Sequence, residues 1–221
     1  MGGFAIRTVN GLLLMFILFV PFERLFALRP GKVFRKQFWS DVSFYVMNSV
    51  IVTFLLAIPF GILAWGISRL PLHGVQEVVI AWPFWLKLVV GLVAGEAGGY
   101  WAHRLMHQIP LLWRFHVIHH AAEEMDWLVN IRVHPVEVVF MRMFQFVPLF
   151  ALGLLRMNHQ ETGWLMVLIP LIGATWGHFI HSNTRLRFGA LEWLVTTPAF
   201  HHWHHTNDAP KLHNKNYSSR N

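Results

Sequence analysis

Residues 103–120 read HRLMHQIPLLWRFHVIHH and contain five histidines at helical spacings. Two of them are four positions apart, and the other three stand at positions i, i+3 and i+4 of a second group. Side chains three or four positions apart share one face of a helix, so each group can direct its imidazoles at one metal site. The five are His103, His107, His116, His119 and His120.

Two further histidine clusters follow nearer the C-terminus. His178 and His181 are three positions apart, and residues 201–205 read HHWHH, which repeats the HxxHH pattern of residues 116–120. Neutral imidazoles packed together without a metal would lose hydrogen bonds, and they resist being protonated side by side. A divalent metal ion would bind the lone pairs of all these imidazoles. Four clusters in one chain therefore predict a metal-binding protein.

The type of ligand narrows the choice of metal. The chain has no cysteine, which excludes disulfides, iron–sulfur clusters and thiolate ligands. About ten imidazoles exceed the three or four protein ligands of one zinc ion, and they suit two metals of the iron, cobalt, nickel or copper type. A zinc protease with an HExxH motif is disfavoured because Arg104 follows His103. Bis-histidine haem is disfavoured because it needs single histidines on two helices rather than tandem clusters.

The composition indicates that lipid is the solvent for part of the fold. Of the 221 residues, 55% are apolar and 13% are charged, whereas an average soluble domain is about 25% charged. The formal charge of +7 does not favour nucleic-acid binding, because the basic residues stand in short groups beside long apolar runs. Residues 1–20 lack a small-residue cleavage site, so we expect a retained span rather than a signal peptide.

Five apolar stretches are long enough, or nearly so, to cross a hydrocarbon core, which takes about 20 helical residues. We therefore predict an all-α integral membrane bundle of four to five spans that forms a single domain over residues 1–221. Pro21, Glu23 and Arg24 interrupt the first stretch and predict a kinked or partly interfacial helix. Glu96 in the third is either a functional residue or the partner of a neighbouring base. The stretches are residues 9–28, 42–68, 80–105, 136–155 and 163–180.

The basic residues predict how the spans are oriented. Residues 29–36 contain four basic residues, so the loop after the first span is expected to be cytoplasmic. Alternating the spans from there brings all four histidine clusters to the cytoplasmic face, as a histidine-rich helical cap that holds a di-metal site. The isolated histidines His73 and His159 then fall on the opposite face.

The four clusters, in this order and between paired spans, resemble those of the fatty acid hydroxylase/sterol desaturase superfamily of membrane di-iron enzymes. The resemblance covers roughly residues 23–217. The motifs that carry it besides the clusters are YWAHR at 100–104, HHAAEEMD at 119–126, RVHPVE at 132–137, Thr197-Pro198 and Lys215-Asn216-Tyr217.

Two features depart from the family pattern. Asn214 stands where an aspartate is common before the Lys-Asn-Tyr motif. The family also usually continues past this motif, whereas the sequence ends at Asn221, so a shortened representative is expected.

The resemblance implies an oxygen-dependent enzyme that hydroxylates or desaturates a lipid, with two iron ions as its cofactor. Carried over by position, ten histidines are the implied metal ligands, and His178 is the one at which the family varies. His202 is implied to lie beside the metals or to stack against Trp203, while His134 is a ligand, an orienting group or a lipid-headgroup contact. The ten are His103, His107, His116, His119, His120, His178, His181, His201, His204 and His205.

Polar side chains beside these histidines are candidates to orient the imidazoles through their second ring nitrogen. For Glu123 and Glu124 the competing interpretation, exposed charge at a membrane surface, is the stronger one. The candidates are Glu124, Asp126, Glu137 and Asn183.

The sequence contains no flavin- or nicotinamide-binding motif, so the electrons are expected from a separate donor of the ferredoxin or cytochrome type. Fatty acyl, sterol, carotenoid and alkylglycerol substrates all stay open, as do a hydroxyl, a double bond or a cleaved ether as product. Two other classes of protein are the alternatives. One is a catalytically silent relative. The other is a metal transporter, which would place its ligands near the bilayer midplane rather than at span ends.

Overall fold

The computed structural model describes residues 2–156 and 160–206, and over these residues the chain is helical apart from one isolated β-bridge between Ala27 and Thr184. The predicted all-α class is therefore confirmed for the described residues. His159, Asn214 and the predicted motif at 215–217 lie outside them. The described helices are α1 (Gly2–Phe26), α2 (Phe38–Ser68), α3 (His73–Ile80), α4 (Phe84–Gln108), α5 (Pro110–His120), α6 (Pro135–Ala151), α7 (Gln160–His181) and α8 (Pro198–His204), with short 3₁₀ helices at Trp127–Ile131 and Gly189–Trp193.

Three of the described helices are long and apolar enough to cross a membrane: Ala5–Phe26 within α1, Phe38–Ser68 as α2, and Glu161–His181 within α7. Many of their large apolar side chains point outward, as with Ile58 of α2, which is 73% exposed. An apolar outer surface is unfavourable in water and favourable against lipid tails. These helices therefore have the surface expected of membrane spans.

The third and fourth predicted stretches correspond to α4 and α6. Lys87, Glu96 and Arg104 lie within α4, and α6 is 17 residues long, so neither helix matches the other three in both length and hydropathy. The third stretch is also broken, because α3 ends at Ile80 and α4 begins only after Pro83. Spans over α4 and α6 remain predictions.

The first stretch forms one continuous helix, since α1 runs through Pro21, Glu23 and Arg24 to Phe26, and a kink or an interfacial position of this helix stays a prediction. A helix among apolar neighbours keeps its backbone hydrogen bonds because lipid offers no other partner. The Glu23 carboxylate turns inward instead, where it accepts hydrogen bonds from the backbone N–H groups of Trp127 and Asn183, at 2.8 Å each.

Glycines let α4 pack closely against α6. A Cβ at Gly98 would collide with the main-chain carbonyl of Phe144 in α6, and one at Gly99 would lie 3.1 Å from the Gln145 side chain. These glycines let α4 and α6 approach closely. Their contact brings the C-terminal end of α4 beside the N-terminal end of α6.

Candidate metal centre

Four helices deliver histidines to one end of the bundle. His103 and His107 come from the last turns of α4, and the chain then reverses at Pro110, the first residue of α5. Proline suits this position because the first helical N–H has no partner to lose. The C-terminal turn of α7 and the short helix α8 approach from the other side and are in contact with each other.

The histidine nitrogens form two groups, and within each group the potential ligand atoms lie within 4.8 Å of one another. We name these groups the first and second histidine sets. The first set contains His103, His107, His116, His120 and His204, and the second contains His119, His181, His201 and His205.

Neighbouring Nε2 atoms in each set are separated by about the distance expected for two ligands of one metal. In the first set, His116 Nε2 lies 3.1 Å from the Nε2 atoms of both His107 and His120. In the second set, His181 Nε2 lies 3.0 Å from His119 Nε2 and 2.8 Å from His201 Nε2. Two nitrogens bound at about 2.0–2.1 Å with a right angle between them would be roughly 3 Å apart.

The structure divides each HxxHH pattern between the two sets, whereas the spacing alone predicted one face and one site. The outer histidines of the first pattern, His116 and His120, belong to the first set, and His119 belongs to the second. A four-residue step on a helix turns about 40° and a one-residue step turns about 100°, so adjacent histidines diverge. The second pattern is divided in the reverse sense, with His204 alone in the first set.

Burial keeps these imidazoles neutral, which is the form that binds a metal. Burial lowers the pKa of His116 to about 3 and the pKa of His119 to about 4. It also lowers the pKa of His120 and His201, in each case reinforced by neighbouring histidines. At neutral pH each of these four rings therefore carries one proton and one lone pair.

The Nδ1 proton of three of these rings is held by an oxygen atom of the protein. His116 Nδ1 lies 2.7 Å from Glu137 Oε1, His119 Nδ1 lies 3.3 Å from the Arg132 carbonyl, and His181 Nδ1 lies 2.7 Å from the Gly177 carbonyl. Since each Nδ1–H donates to oxygen, each Nε2 carries the lone pair and points into its set. Converging lone pairs repel one another in the absence of a cation. The donor set therefore fits a metal in each of the two positions.

Three histidines from the sequence prediction lie outside both sets. His178 Nδ1 donates to the Trp127 carbonyl at 2.8 Å, and its ring packs against Phe19 with centroids 5.7 Å apart. His202 Nε2 lies 3.1 Å from the Ser182 carbonyl. His134 is the N-cap residue before α6, and its Nδ1 accepts a hydrogen bond from the backbone N–H of Val136 at 3.1 Å.

Of the four polar candidates, Glu137 is the one that contacts a histidine of either set in the described part of the chain. Asp126 accepts two hydrogen bonds from Arg35, at 2.6 and 2.8 Å. Asn183 is joined to Arg29 by reciprocal bonds to the backbone, and Glu124 is exposed beside a cavity.

A buried charge network supports the loop between α5 and α6, and the sequence prediction missed it. Asp41, in the first turn of α2, accepts a hydrogen bond from Arg35 at 2.5 Å and forms an ion pair with Arg132, whose Nε lies 2.5 Å from Asp41 Oδ1. Arg35 also binds Asp126, so the network links the α1–α2 connection with the residues that carry the Arg132 carbonyl. A carboxylate at the start of a strongly apolar helix was the available signal, because a buried charge needs a buried partner.

Comparison with known proteins assigns the chain to a family. The sequence model of the fatty acid hydroxylase family matches residues 88–221, which is more than half of the chain and contains all ten predicted ligands. The chain therefore belongs to the fatty acid hydroxylase family, as its resemblance at the level of motifs predicted.

Three curated relatives illustrate the similarity. Ornithine lipid hydroxylase OlsE of Rhizobium tropici is 35% identical over 126 residues, which are 57% of this chain and 36% of that protein. Alkylglycerol monooxygenase of Xenopus tropicalis is 23% identical over 93% of this chain and 50% of its own length. The Danio rerio alkylglycerol monooxygenase is 28% identical over 62% of this chain and 28% of its own length. The chain thus spans half or less of these relatives. No solved structure matches it significantly.

Proposed function

We propose that the chain is a membrane oxygenase of the di-iron type that uses O2 and external electrons to hydroxylate or desaturate a lipid. The single observation that carries this proposal is the pair of adjacent histidine sets, five and four imidazoles, with neutral rings and converging Nε2 atoms. The lipid hydroxylase and monooxygenase relatives support a lipid as the substrate.

Two iron ions are the proposed cofactor, one in each histidine set. Imidazole without thiolate is a ligand environment that iron accepts. When bound, the irons supply the reduction of O2 and the removal of hydrogen from an unactivated C–H bond. The nine histidines of the two sets are the proposed ligands.

The protein's own groups would fix the geometry of these ligands. Glu137 and the Arg132 and Gly177 carbonyls hold three Nδ1 protons and so set the direction of the corresponding lone pairs. We assign His178 to the support of the Trp127 segment rather than to a metal, because its Nδ1 is bound to the Trp127 carbonyl and its ring packs on Phe19. His134 is assigned to capping α6.

We further propose that α4 and α6 complete a bundle of four to five spans, in one domain over residues 1–221, with the histidine end on the cytoplasmic side. The basic residues of the loop after α1 support this orientation through the positive-inside bias. Aromatic and apolar side chains around the histidine sets would exclude water. The reductant is proposed to be a separate ferredoxin or cytochrome.

Oxygen transfer tests the function directly. Lipids are extracted from cells that produce the full-length protein under ¹⁸O2 and are compared by mass spectrometry with those of cells that produce the His107→Ala variant. We expect a lipid with one added ¹⁸O atom, or one lacking two hydrogens, that disappears in the variant. His73→Ala is the matched control, because the ring of His73 is exposed beside Glu77 at the other end of the bundle. A lipid profile that is the same with wild type and His107→Ala would contradict the proposal.

A further inference from the structure

A cavity of about 870 Å³ opens at the histidine end of the bundle. It lies between the end of α1, the connection to α2, residues 121–127, residues 183–187 and α8. Its lining includes His205 of the second histidine set, together with His202 and Trp203. The volume is in the range of small-molecule binding sites, about 300–1,000 Å³. The cavity therefore connects one metal position with the surface.

The cavity wall is rich in cations that have no carboxylate partner in the described part of the chain. Arg35 and Asp126 also line it, but they neutralise each other. Glu23 is occupied by two backbone N–H groups, and Glu123 faces Lys36. Glu124 is an exposed carboxylate on the same wall, so five cations there face one carboxylate that forms no ion pair in the described part of the chain. The cations that remain are Arg24, Arg29, Lys32, Arg185 and Arg187.

Cations at the opposite end of the bundle are arranged differently. Arg156 binds Glu77 at 2.7 Å, Lys87 binds Glu161, and the Arg69 guanidinium lies 5.3 Å from the centroid of the Trp65 ring. Among the described residues, cations without a carboxylate partner are therefore more numerous around the cavity than at the opposite end, where Arg7 and Arg69 are of this kind. Guanidinium groups bind phosphate and carboxylate by paired, charge-assisted hydrogen bonds.

The cavity is also lined by exposed apolar side chains. Leu28 is 46% exposed and Trp203 is 58% exposed, and both line the cavity. Leu25, in the last turns of α1, is 72% exposed on the same helix end. An occupant that satisfies both the cations and these side chains has an anionic group joined to an apolar chain. A free anion would leave these apolar side chains exposed to water.

We propose that this cavity binds the anionic headgroup, a phosphate or a carboxylate, of an amphipathic lipid through Arg24, Arg29, Lys32, Arg185 and Arg187. This headgroup site rests on the proposed function in one respect, namely that the bound lipid is taken to be the substrate. Acyl lipids with charged headgroups are then favoured over sterols and carotenoids, which have no anion for these cations.

Titration calorimetry of the metal-free, detergent-purified protein with dioctanoyl phosphatidic acid tests the proposal. Dioctanoylglycerol has the same chains without the charge, and inorganic phosphate has the charge without the chains. We expect phosphatidic acid to bind more tightly than either. The double variant Arg185→Gln/Arg187→Gln should bind phosphatidic acid at least roughly tenfold more weakly, since hydrogen bonds to charged groups are lost.

The control is Arg7→Gln/Arg69→Gln, which removes two positive charges at the other end of the bundle and should leave the affinity unchanged. An equal loss in both double variants would show attraction by net charge alone and overturn the proposal. Inorganic phosphate binding as tightly as the lipid would overturn it as well. Iron titration of the same proteins tests the metal centre separately, so failure of the headgroup site and failure of the oxygenase are distinguishable.

Discussion

Glu137 holds the His116 ring from the side opposite its metal-facing nitrogen. Both side chains are buried, with 5% and 3% of their surface exposed, and Glu137 Oε1 is 2.7 Å from His116 Nδ1. A carboxylate in this position fixes the tautomer and makes the imidazole a stronger ligand. The contact is therefore expected to matter for metal affinity although Glu137 is not itself in a histidine set.

Replacing Glu137 with Gln keeps the shape of the side chain and removes its charge. We expect the affinity of the first histidine set for iron to fall roughly 10–100-fold, as is usual when such a partner of a ligand is lost. Competition with a chromogenic chelator measures this. Glu124→Gln is the control, because Glu124 is an exposed carboxylate near the same site. Equal affinities in both variants would show that Glu137 has no orienting role.

At the scale of residues, the sequence could predict which histidines come together, but not how they are divided between the two histidine sets. All nine histidines of the two sets were among the ten that the family resemblance implied, because the HxxxH, HxxHH and HxxH clusters that carry it are visible in the sequence. That His119 and His120 diverge follows from their one-residue step on a helix. Which histidines of the other helices join each of them depends on how the helices pack, which the spacing does not contain. The Arg132 and Gly177 acceptors are backbone carbonyls, and a carbonyl has no sequence signature.

Among the elements, the α4–α6 contact determines where the first histidine set forms. His103 and His107 end α4, and Glu137 lies in the first turn of α6. The backbone of α6 at Phe144 lies directly against Gly98. A change in this contact would move His107 relative to the carboxylate that holds His116.

Gly98→Ala inserts a methyl group where the Phe144 carbonyl lies, so α4 and α6 must move apart. We expect the free energy of unfolding in detergent to fall by about 1–3 kcal/mol, the usual cost of overpacking, together with weaker iron binding. Gly61→Ala in α2 is the control, since a Cβ there meets no atom within 4 Å. Loss of stability in both variants alike would indicate a general effect of glycine replacement.

The α1–α2 connection is fixed by the charge network centred on Asp41. Asp41→Asn would leave Arg35 and Arg132 buried with one carboxylate fewer, which costs about 3–5 kcal/mol for a buried pair. Glu77→Gln removes the exposed pair with Arg156 and should cost at most about 1 kcal/mol. Denaturant unfolding in micelles compares the two variants, and similar losses would contradict the assignment of Asp41 as a structural anchor.

The helical elements themselves were largely predictable, since each of the five apolar stretches overlaps a helix. Their ends were not. The third stretch runs from Ile80 through a break that Pro83 introduces, and the fourth ends where Gly153 adopts a φ of +73°. Hydropathy does not distinguish a long span from two helices joined by a short apolar turn, so the number of spans did not follow from it.

Over the whole molecule, the outer surface of the long helices is apolar and the buried polar groups are gathered at one end. The outer faces of α1, α2 and α7 are apolar, whereas the buried histidines, the Asp41 network and the cation-lined cavity lie together at one end. The gathering of the histidines at one end was predictable, because spans that alternate in direction bring all four clusters to the same side. The cavity was not, because its wall is made from four segments distant in sequence.

Iron content of the detergent-purified protein tests the central claim most directly. We expect two iron ions per chain, one for each histidine set, in the wild type and in the control His73→Ala. His119→Ala and His120→Ala each remove a ligand from a different set, so each should weaken one iron and the double variant should lose both. A wild-type protein that binds no iron after anaerobic reconstitution would contradict the di-iron centre.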